Sequence, residues 1–586
     1  MLGANLLKNG EMQFTVWAPK AQQVELHLLK DDRYISMQRD ERGYFTCRVA
    51  DVQAGDRYLY RLDGEKERPD PTSHSQPDGV HQASAVVDPH YDWQANNWLP
   101  PTLRNSVFYE IHVGTFTPEG TFEAVIPHLP RLKEFGITTI ELMPIAQFPG
   151  DRNWGYDGVG MYAPQNSYGG ADGLRRLVDA AHLQGMAVFL DVVYNHLGPE
   201  GNYLWDYGYY FTDRYRSSWG DVLNFDGAYS DEVRRFFIEN ALYWLRDFHI
   251  DGFRLDATHA LFDLNAVPFL EELTASIHEW ADEHSRRVYV IAENDQSNRK
   301  TVLPRELGGV GLDAQWLDDL HHVVHHALTG ESDGYYMDYA SFDLLVKVFR
   351  EGFAYSGQYS PHLNRRHGTP SADISPDHYV ICVQNHDQVG NRMLGERLTQ
   401  LTDLAGLKLA AGVLLTSPYV PLLFMGEEYG EPAPFLYFIS HGDEQLVNAV
   451  REGRKAEFSY FKWQAEPPDP FARETFKRST LNHDLRHEGH HAELYAYYAE
   501  LLRLRREIPA LTSLQRTVTS SGKIVCMDRG SDVRVLMNFH MTEAQSITFE
   551  DGLRFNKIFD ATDSAPQSLP QTLTLPPKGF VVYQKS

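Results

Sequence analysis

The sequence predicts an α/β protein: a (β/α)8 TIM barrel with an N-terminal β-sandwich domain and a small C-terminal β domain. Three observations lead there. After residue 106, short apolar runs alternate with helical stretches, which is the pattern of a parallel sheet. Eight such runs occur, at 107–113, 138–143, 187–193, 252–256, 288–292, 312–316, 379–383 and 420–424. Four stretches in this region, FLDVVYNH (189–196), DGFRLDATH (251–259), VIAEND (290–295) and CVQNHDQVGN (382–391), end in Asp, Glu, His, Arg or Asn. Polar groups at the carboxyl ends of barrel strands gather on one rim, where such barrels hold their sites. Outside the barrel region the apolar spacing changes to two, and the expected domains are 1–95, 96–508 and 509–586.

In order along the chain, Phe14 and Val16, then Val24, Leu26 and Leu28, then Tyr58, Tyr60 and Leu62 alternate between faces, with Gly and Asp between the runs. This is the signature of a small sandwich. Residues 63–104 are poor in periodicity and rich in Pro, Ser, His and Asp, and read as a connecting segment. In the barrel region, 231–248 carries a broad apolar helical face through Val233, Phe236, Phe237, Trp244, Leu245 and Phe248. The barrel region exceeds the about 250 residues typical of a plain barrel, so the surplus must form rim insertions. Residues 197–229, rich in Tyr, Gly and Asp, are one. A helix at 492–506 is expected to close the barrel domain. Short β runs follow at 524–527, 533–539, 546–549, 572–575 and 580–583.

Composition narrows the partners. Lys and Arg number 54 against 80 Asp and Glu, a net charge of −26. That charge argues against nucleic acid, an anionic membrane or a polyanionic substrate, and no protein partner is indicated. An acidic surface with 12% aromatic residues suits a neutral polyol bound by stacking and hydrogen bonds. The most apolar stretch, 404–425, contains Lys408, Pro418 and Pro421, and reads as a helix followed by a buried strand. Cys47, Cys382 and Cys526 fall in separate expected strands and form no disulfide framework. With no secretory signal visible at the N-terminus, a cytosolic protein is expected.

The rim carries three acids. Asp256 follows GFRL, Glu293 follows VIA and Asp387 follows QNH. Acids converging on one barrel mouth suit glycoside cleavage, in which one carboxylate attacks the anomeric carbon and a protonated one donates to the leaving oxygen. Arg254, two residues before Asp256, projects to the same side and can keep it ionised. His196 and His386 can donate hydrogen bonds to sugar hydroxyls. Taken singly, an acid after a strand is more often a cap or a solvated turn; four such segments in the right order are not a chance arrangement.

DVVYNH, GFRLDATH, the Glu of IAEND, and NHD resemble the four hallmark regions of the α-amylase superfamily of glycoside hydrolases. The resemblance implies Asp256 as nucleophile, Glu293 as general acid/base and Asp387 as the residue gripping sugar hydroxyls in the transition state. It implies substrate contacts for Arg254, His196 and His386, a supporting role toward Arg254 for Asp191, and a ring-stacking role for Tyr156 in NWGYDG. VWAPKAQQVELHLL resembles the β module that precedes the barrel in glucan branching, debranching and trehalose-releasing members. WGYDGVGMYAPQNSYGG, YNHLGPEGNYL, QNHDQVGNR and FMGEEYGEPAPFLYF are most similar to the trehalose-releasing members. That implies hydrolysis, with retention, of the α-1,4 bond next to a terminal trehalose. The alternatives are a 1,4-α-glucan branching or debranching enzyme and, outside catalysis, a silent glucan-binding protein on the same barrel. The latter would lose acids, and here all three are present.

Other signals are set aside. HEGHH (487–491) matches a zinc-protease pattern, which requires both histidines on one continuous helix; Gly489 argues for a loop or a helix start. His321, His322, His325 and His326 include i,i+4 pairs, but their position after the sixth strand reads as the sixth barrel helix, with Trp316, Asp318, Asp319 and His321 as possible sugar contacts. Calcium beside Asn195 would need six to eight converging oxygens, and Asp206, Asp213, Asp221 and Asp226 are scattered. GGVG (308–311) is a turn. No metal and no cofactor is expected. Trp154, Trp205, Tyr207 and Trp219 stack on glucan or pack their loop, and the sequence leaves the two readings even.

Overall fold

Eight parallel strands close into a barrel: β1 (Phe108–Ile111), β2 (Thr139–Leu142), β3 (Ala187–Val192), β4 (Gly252–Leu255), β5 (Tyr289–Ala292), β6 (Ala314–Trp316), β7 (Tyr379–Ile381) and β8 (Val420–Phe424). The structure is a computed structural model that describes residues 1–217, 219–457 and 466–586. β1 pairs with β2 and β8, so the ring has no edge. Side chains alternate across each strand. Phe108, Phe189, Ile291, Val380 and Leu422 belong to one buried cluster that plugs the barrel. Two residues further along the same faces stand Glu110, Asp191 and, from β4, Arg254, so the interior changes from apolar to charged toward the rim. Gly252 is required by the plug: a Cβ there would lie 2.3 Å from Cε1 of Phe189. Asp191 and Arg254 are register partners across β3 and β4.

Five of the eight strands, β1 to β4 and β7, end one or two residues sooner at the rim than the sequence pattern suggests, and the other three end where expected. β4 stops at Leu255 and β7 at Ile381, because the chain turns there to aim its polar groups inward. The expected helices lie at Ser230–Asp247, Leu404–Thr416 and Gly489–Glu507. The insertion after β3 forms a short helix, Leu204–Tyr207, and a hairpin of Phe211–Ser217 with Gly220–Leu223. After β8, a helix at Glu444–Glu457 stands over the rim. Its sequence, EQLVNAVREGRKAE, is too polar to have stood out.

The N-terminal module holds two sheets. One has the order Gly3–Leu6, Met12–Trp17, Tyr44–Val49, Gln38–Arg39; the other runs Arg33–Ser36, Val24–Leu28, Arg57–Leu62, Lys66–Arg68. The segment expected only to connect contributes Lys66–Arg68 and Ser84–Ala85 to the second sheet. Polar anchoring replaces periodicity there: buried Asp70 accepts from Tyr58 Oη at 2.8 Å and from Thr72. The C-terminal sheet has the order Arg516–Ser521, Ile524–Arg529, Val533–Asn538, Phe580–Lys585, Phe555–Asp560. Its first and last strands escape a periodic reading, since one is largely polar and the other is broken by an irregularity at Lys557/Phe559. Among the described residues no helix is long and apolar enough to cross a membrane.

Candidate active site

Arg254 is the hub of the rim. It is 1% exposed, and its Nη1 lies 2.9 Å from both oxygens of Asp191 and 2.8 Å from Oδ1 of Asp256. Its Nη2 lies 3.4 Å from Oε2 of Glu293. The guanidinium stacks on Trp316, Cζ to ring centroid 4.2 Å, which fixes the plane of the fork. One cation therefore links β3, β4, β5 and β6.

Asp256 takes a second bond on Oδ2 from Asn195 Nδ2 at 2.7 Å. Burial pushes its carboxyl up, but Arg254, His196 and Asn195 outweigh that and hold it below its ordinary 3.8. Glu293 moves the other way. Burial, reinforced by Asp256, Asp387 and Asp318 against the opposing Arg254, raises it well above its ordinary value. Two neighbouring carboxyls driven apart, one toward the ionised form and one toward the protonated form, are the pairing that acid-assisted substitution requires. Between them Ala257 adopts φ 40°, left-handed backbone that a residue with a Cβ seldom occupies. The turn aims the Ala257 N–H at Glu293 Oε2, 2.5 Å away. Local strain thus fixes the acid relative to Asp256.

A second chain of bonds reaches the rim from β1. Glu110 Oε2 accepts from the His386 backbone N–H at 2.9 Å, and Glu110 Oε1 lies 2.5 Å from His386 Nδ1. His386 Nε2 lies 2.7 Å from Tyr156 Oη, which donates to Asp191 Oδ2 at 2.5 Å. With the phenol hydrogen directed at Asp191, Tyr156 must accept from His386, while the Glu110 side chain accepts the other N–H. Both imidazole nitrogens then carry hydrogen. Burial pulls the His386 imidazolium down, but Glu110 outweighs it and the net shift is upward. The Tyr156 and His386 rings stack at 5.2 Å. His196 is held by the Tyr156 carbonyl at 3.0 Å and by the Asn195 side chain.

All seven residues singled out for the site, Tyr156, His196, Arg254, Asp256, Glu293, His386 and Asp387, line one cavity of about 360 Å³. A second cavity, about 290 Å³, opens on the other side of the acids and shares Glu293, Asp387 and Asn391 with the first. Trp316, Asp318, His322 and Tyr339 are among the residues that line it. The Trp316 indole N–H and the His322 Nδ1 are buried there without a protein partner. Burial, helped by Asp387 and Asp319, pushes the Asp318 carboxyl up to about 7. Glu110 and the helix after β8 escape a motif reading, because no short spacing connects them to the acids; Asn391 closes the QNHDQVGN motif, four residues after Asp387, but nothing in the motif gives it a role.

The signals set aside find ordinary structural places. His487 ends a short 3-10 helix, His483–His487, and His491 lies in the separate helix beginning at Gly489, so the pair shares no continuous helix. His321 bonds the Val383 carbonyl and Tyr336, and His325 bonds Glu331. Asn195 serves Asp256. Among the described residues no cluster of three or more His, Cys, Asp or Glu is placed to hold a metal ion. Of the aromatics, Trp154 and Tyr207 are buried, whereas Trp205 and Trp219 are about half exposed, at 48% and 50%. Trp154 and Trp219 both line the first cavity.

The barrel and its split pair of acids define a glycoside hydrolase of the α-amylase type. Residues 71–219 match the family described as alpha amylase, catalytic domain, and residues 1–89 match carbohydrate-binding module 48 (isoamylase N-terminal domain). The chain is 46% identical over 494 residues to the malto-oligosyltrehalose trehalohydrolase of Saccharolobus solfataricus, covering 84% of this chain and 85% of that one. It is 41% identical over 559 residues to that of Deinococcus radiodurans, covering 91% and 90%. The chain belongs to the malto-oligosyltrehalose trehalohydrolase family. Similarity to the 1,4-alpha-glucan branching enzyme of Geobacillus stearothermophilus is lower, 29% over 476 residues, covering 74% of this chain and 70% of that one. A solved structure from Salmonella typhimurium, described as an alpha amylase, superposes with a TM-score of 0.91 at 37% identity, covering 100% of this chain and 99% of that one.

Proposed function

We propose that the protein releases trehalose from maltooligosyltrehalose by cutting the α-1,4 bond next to the terminal trehalose, with net retention. Asp256, kept ionised, attacks the anomeric carbon of the glucosyl unit in the first cavity. Glu293, kept protonated, donates to the glycosidic oxygen as the C–O bond breaks, and trehalose departs. Water then gives a proton to the Glu293 carboxylate and attacks the same carbon, which frees the shortened glucan and restores both groups. Asp387 grips sugar hydroxyls as charge develops on the ring, and Tyr156 and His386 provide its stacking wall.

The observation that carries the chemistry is the single guanidinium shared by Asp256 and Glu293, two carboxyls whose surroundings shift them in opposite directions. Trehalose as leaving group is supported by the relatives named above and by the second cavity. Its volume approaches the lower end, about 300 Å³, of small-molecule sites, and its lining combines the Trp316 and Tyr339 rings with the Asp318 carboxyl, groups suited to stacking on a sugar and bonding its hydroxyls. Free thiols at Cys47, Cys382 and Cys526 support the reading of a reducing, cytosolic setting. Incubation with maltooligosyltrehalose, plain maltooligosaccharide and amylose, followed by product identification, tests the proposal. Free trehalose without new α-1,6 linkages is expected. Branch formation, or maltose as the sole small product, overturns it.

A further inference from the structure

We propose that Arg454, on the helix after β8, is a positioning residue for the reaction: through Asn391 it sets the orientation of Asp387. The inference rests on the role of Asp387 proposed above. Asn391 Nδ2 donates to Asp387 Oδ1 at 2.5 Å, and Arg454 Nη1 donates to Asn391 Oδ1 at 3.1 Å. Arg454 Nη2 donates to the Gly390 carbonyl at 3.0 Å. The guanidinium is thus bound twice to the turn that carries both Asn391 and Asp387.

Donor and acceptor chemistry gives this relay a direction. Arginine only donates and an ionised carboxylate only accepts. Arg454 must therefore hold the amide oxygen of Asn391, which leaves the amide N–H for Asp387. Turned the other way, the amide would set its NH2 against the guanidinium and its oxygen against the carboxylate. Asn391 is exposed, so without Arg454 water would compete for its oxygen and its amide would be free to rotate.

Backbone packing supports the same geometry. Arg454 lies over the Tyr437 ring, Cζ to centroid 4.7 Å, and Tyr437 packs edge-on to Trp154 at 5.1 Å. Gly390 lies against Trp154, where a Cβ would fall 2.1 Å from the indole. Val450, Gly453 and Arg454 form the side of the first cavity supplied by the helix. A carboxylate that must bind hydroxyls in one geometry gains from an anchored amide, since misplacement by about 1 Å costs of order a hundredfold in rate.

The test is a double-mutant cycle on kcat and KM with maltooligosyltrehalose, using Arg454→Met, Asn391→Ala and the double variant, with Arg454→Lys as the rescue. Each single change is expected to lower kcat about tenfold, about 1.4 kcal/mol of transition-state stabilisation. KM should change less than kcat, and the double variant should be no worse than the poorer single one. Arg454→Lys, which keeps a donating cation but not the planar fork, should recover part of kcat. Additive losses, or an unchanged kcat in Arg454→Met, overturn the inference. Melting temperatures distinguish a folding defect, which would lower the active fraction without separating Lys from Met. Asp387→Asn is the control: activity near wild type there removes the role of Asp387 itself, whereas inactivity there with additive losses elsewhere removes only the relay.

Discussion

Asn195→Ala should move the acid limb of the pH profile upward. In the folded protein, Asn195 donates to Oδ2 of Asp256 at 2.7 Å and to its backbone carbonyl at 2.9 Å. Asp256 is pushed up by burial and held below 3.8 by Arg254, His196 and Asn195. Catalysis needs this carboxylate ionised, so activity falls as pH drops through its pKa. A hydrogen bond to a charged group is worth about 1.5–3 kcal/mol, and one pKa unit corresponds to about 1.36 kcal/mol. Removing Asn195 removes a bond made to the ionised form, so the acid limb should rise by about one to two units. The alkaline limb is set by Glu293 losing its proton and should stay near its original position, because Asn195 is not bonded to Glu293. The assay is kcat/KM against pH for both proteins, with melting curves at each pH to exclude unfolding. An acid limb that does not move, or a shift of the alkaline limb alone, would refute the assignment of Asp256 as the group that must be ionised.

Further outcomes are expected from single substitutions. Asp256→Asn should abolish turnover while glucan binding, read by calorimetry, persists; activity within about tenfold of wild type, roughly 1.4 kcal/mol, would exclude Asp256 as nucleophile. Glu293→Gln should fail on maltooligosyltrehalose yet retain formation of the glycosyl-enzyme from aryl glycosides with good leaving groups, which need no proton. Equal loss of that first step on both substrates would count against the acid role. Asp318→Ala removes the carboxyl that lines the second cavity. Product inhibition by trehalose should weaken about fivefold, the worth of one ordinary hydrogen bond, and an unchanged inhibition constant would remove the second cavity as the leaving-group site.

Legibility in the sequence followed the reach of each interaction. The eight barrel strands announce themselves as local apolar runs, and Asp256, Glu293 and His386 are legible because each follows its own strand. The register of Asp191 with Arg254 could be anticipated only in outline, from two segments of one barrel. Glu110 lies 276 residues from the His386 it fixes, and nothing local marks a glutamate in FYEI as part of a rim. Arg454 sits on a helix whose polar sequence resembles any solvated surface helix, and its meaning comes only from Asn391, 63 residues earlier. The strand Arg516–Ser521 escapes a sequence reading because its sheet supplies the pairing that its own polar residues do not suggest. Asn195 was weighed as a calcium ligand, whereas the structure turns its amide toward Asp256.

In this mechanism Asp256 forms a covalent bond to the anomeric carbon. Trapping in the Glu293→Gln background tests it most directly, with a glucosyl donor whose fluoride leaving group needs no protonation. The first step then proceeds while the second, lacking its base, is slow. Peptide mass spectrometry should find one glycosyl adduct, on the peptide that carries Asp256. An adduct on the Asp387 peptide, or no adduct together with a first-formed product of inverted configuration, would exclude Asp256 as the nucleophile.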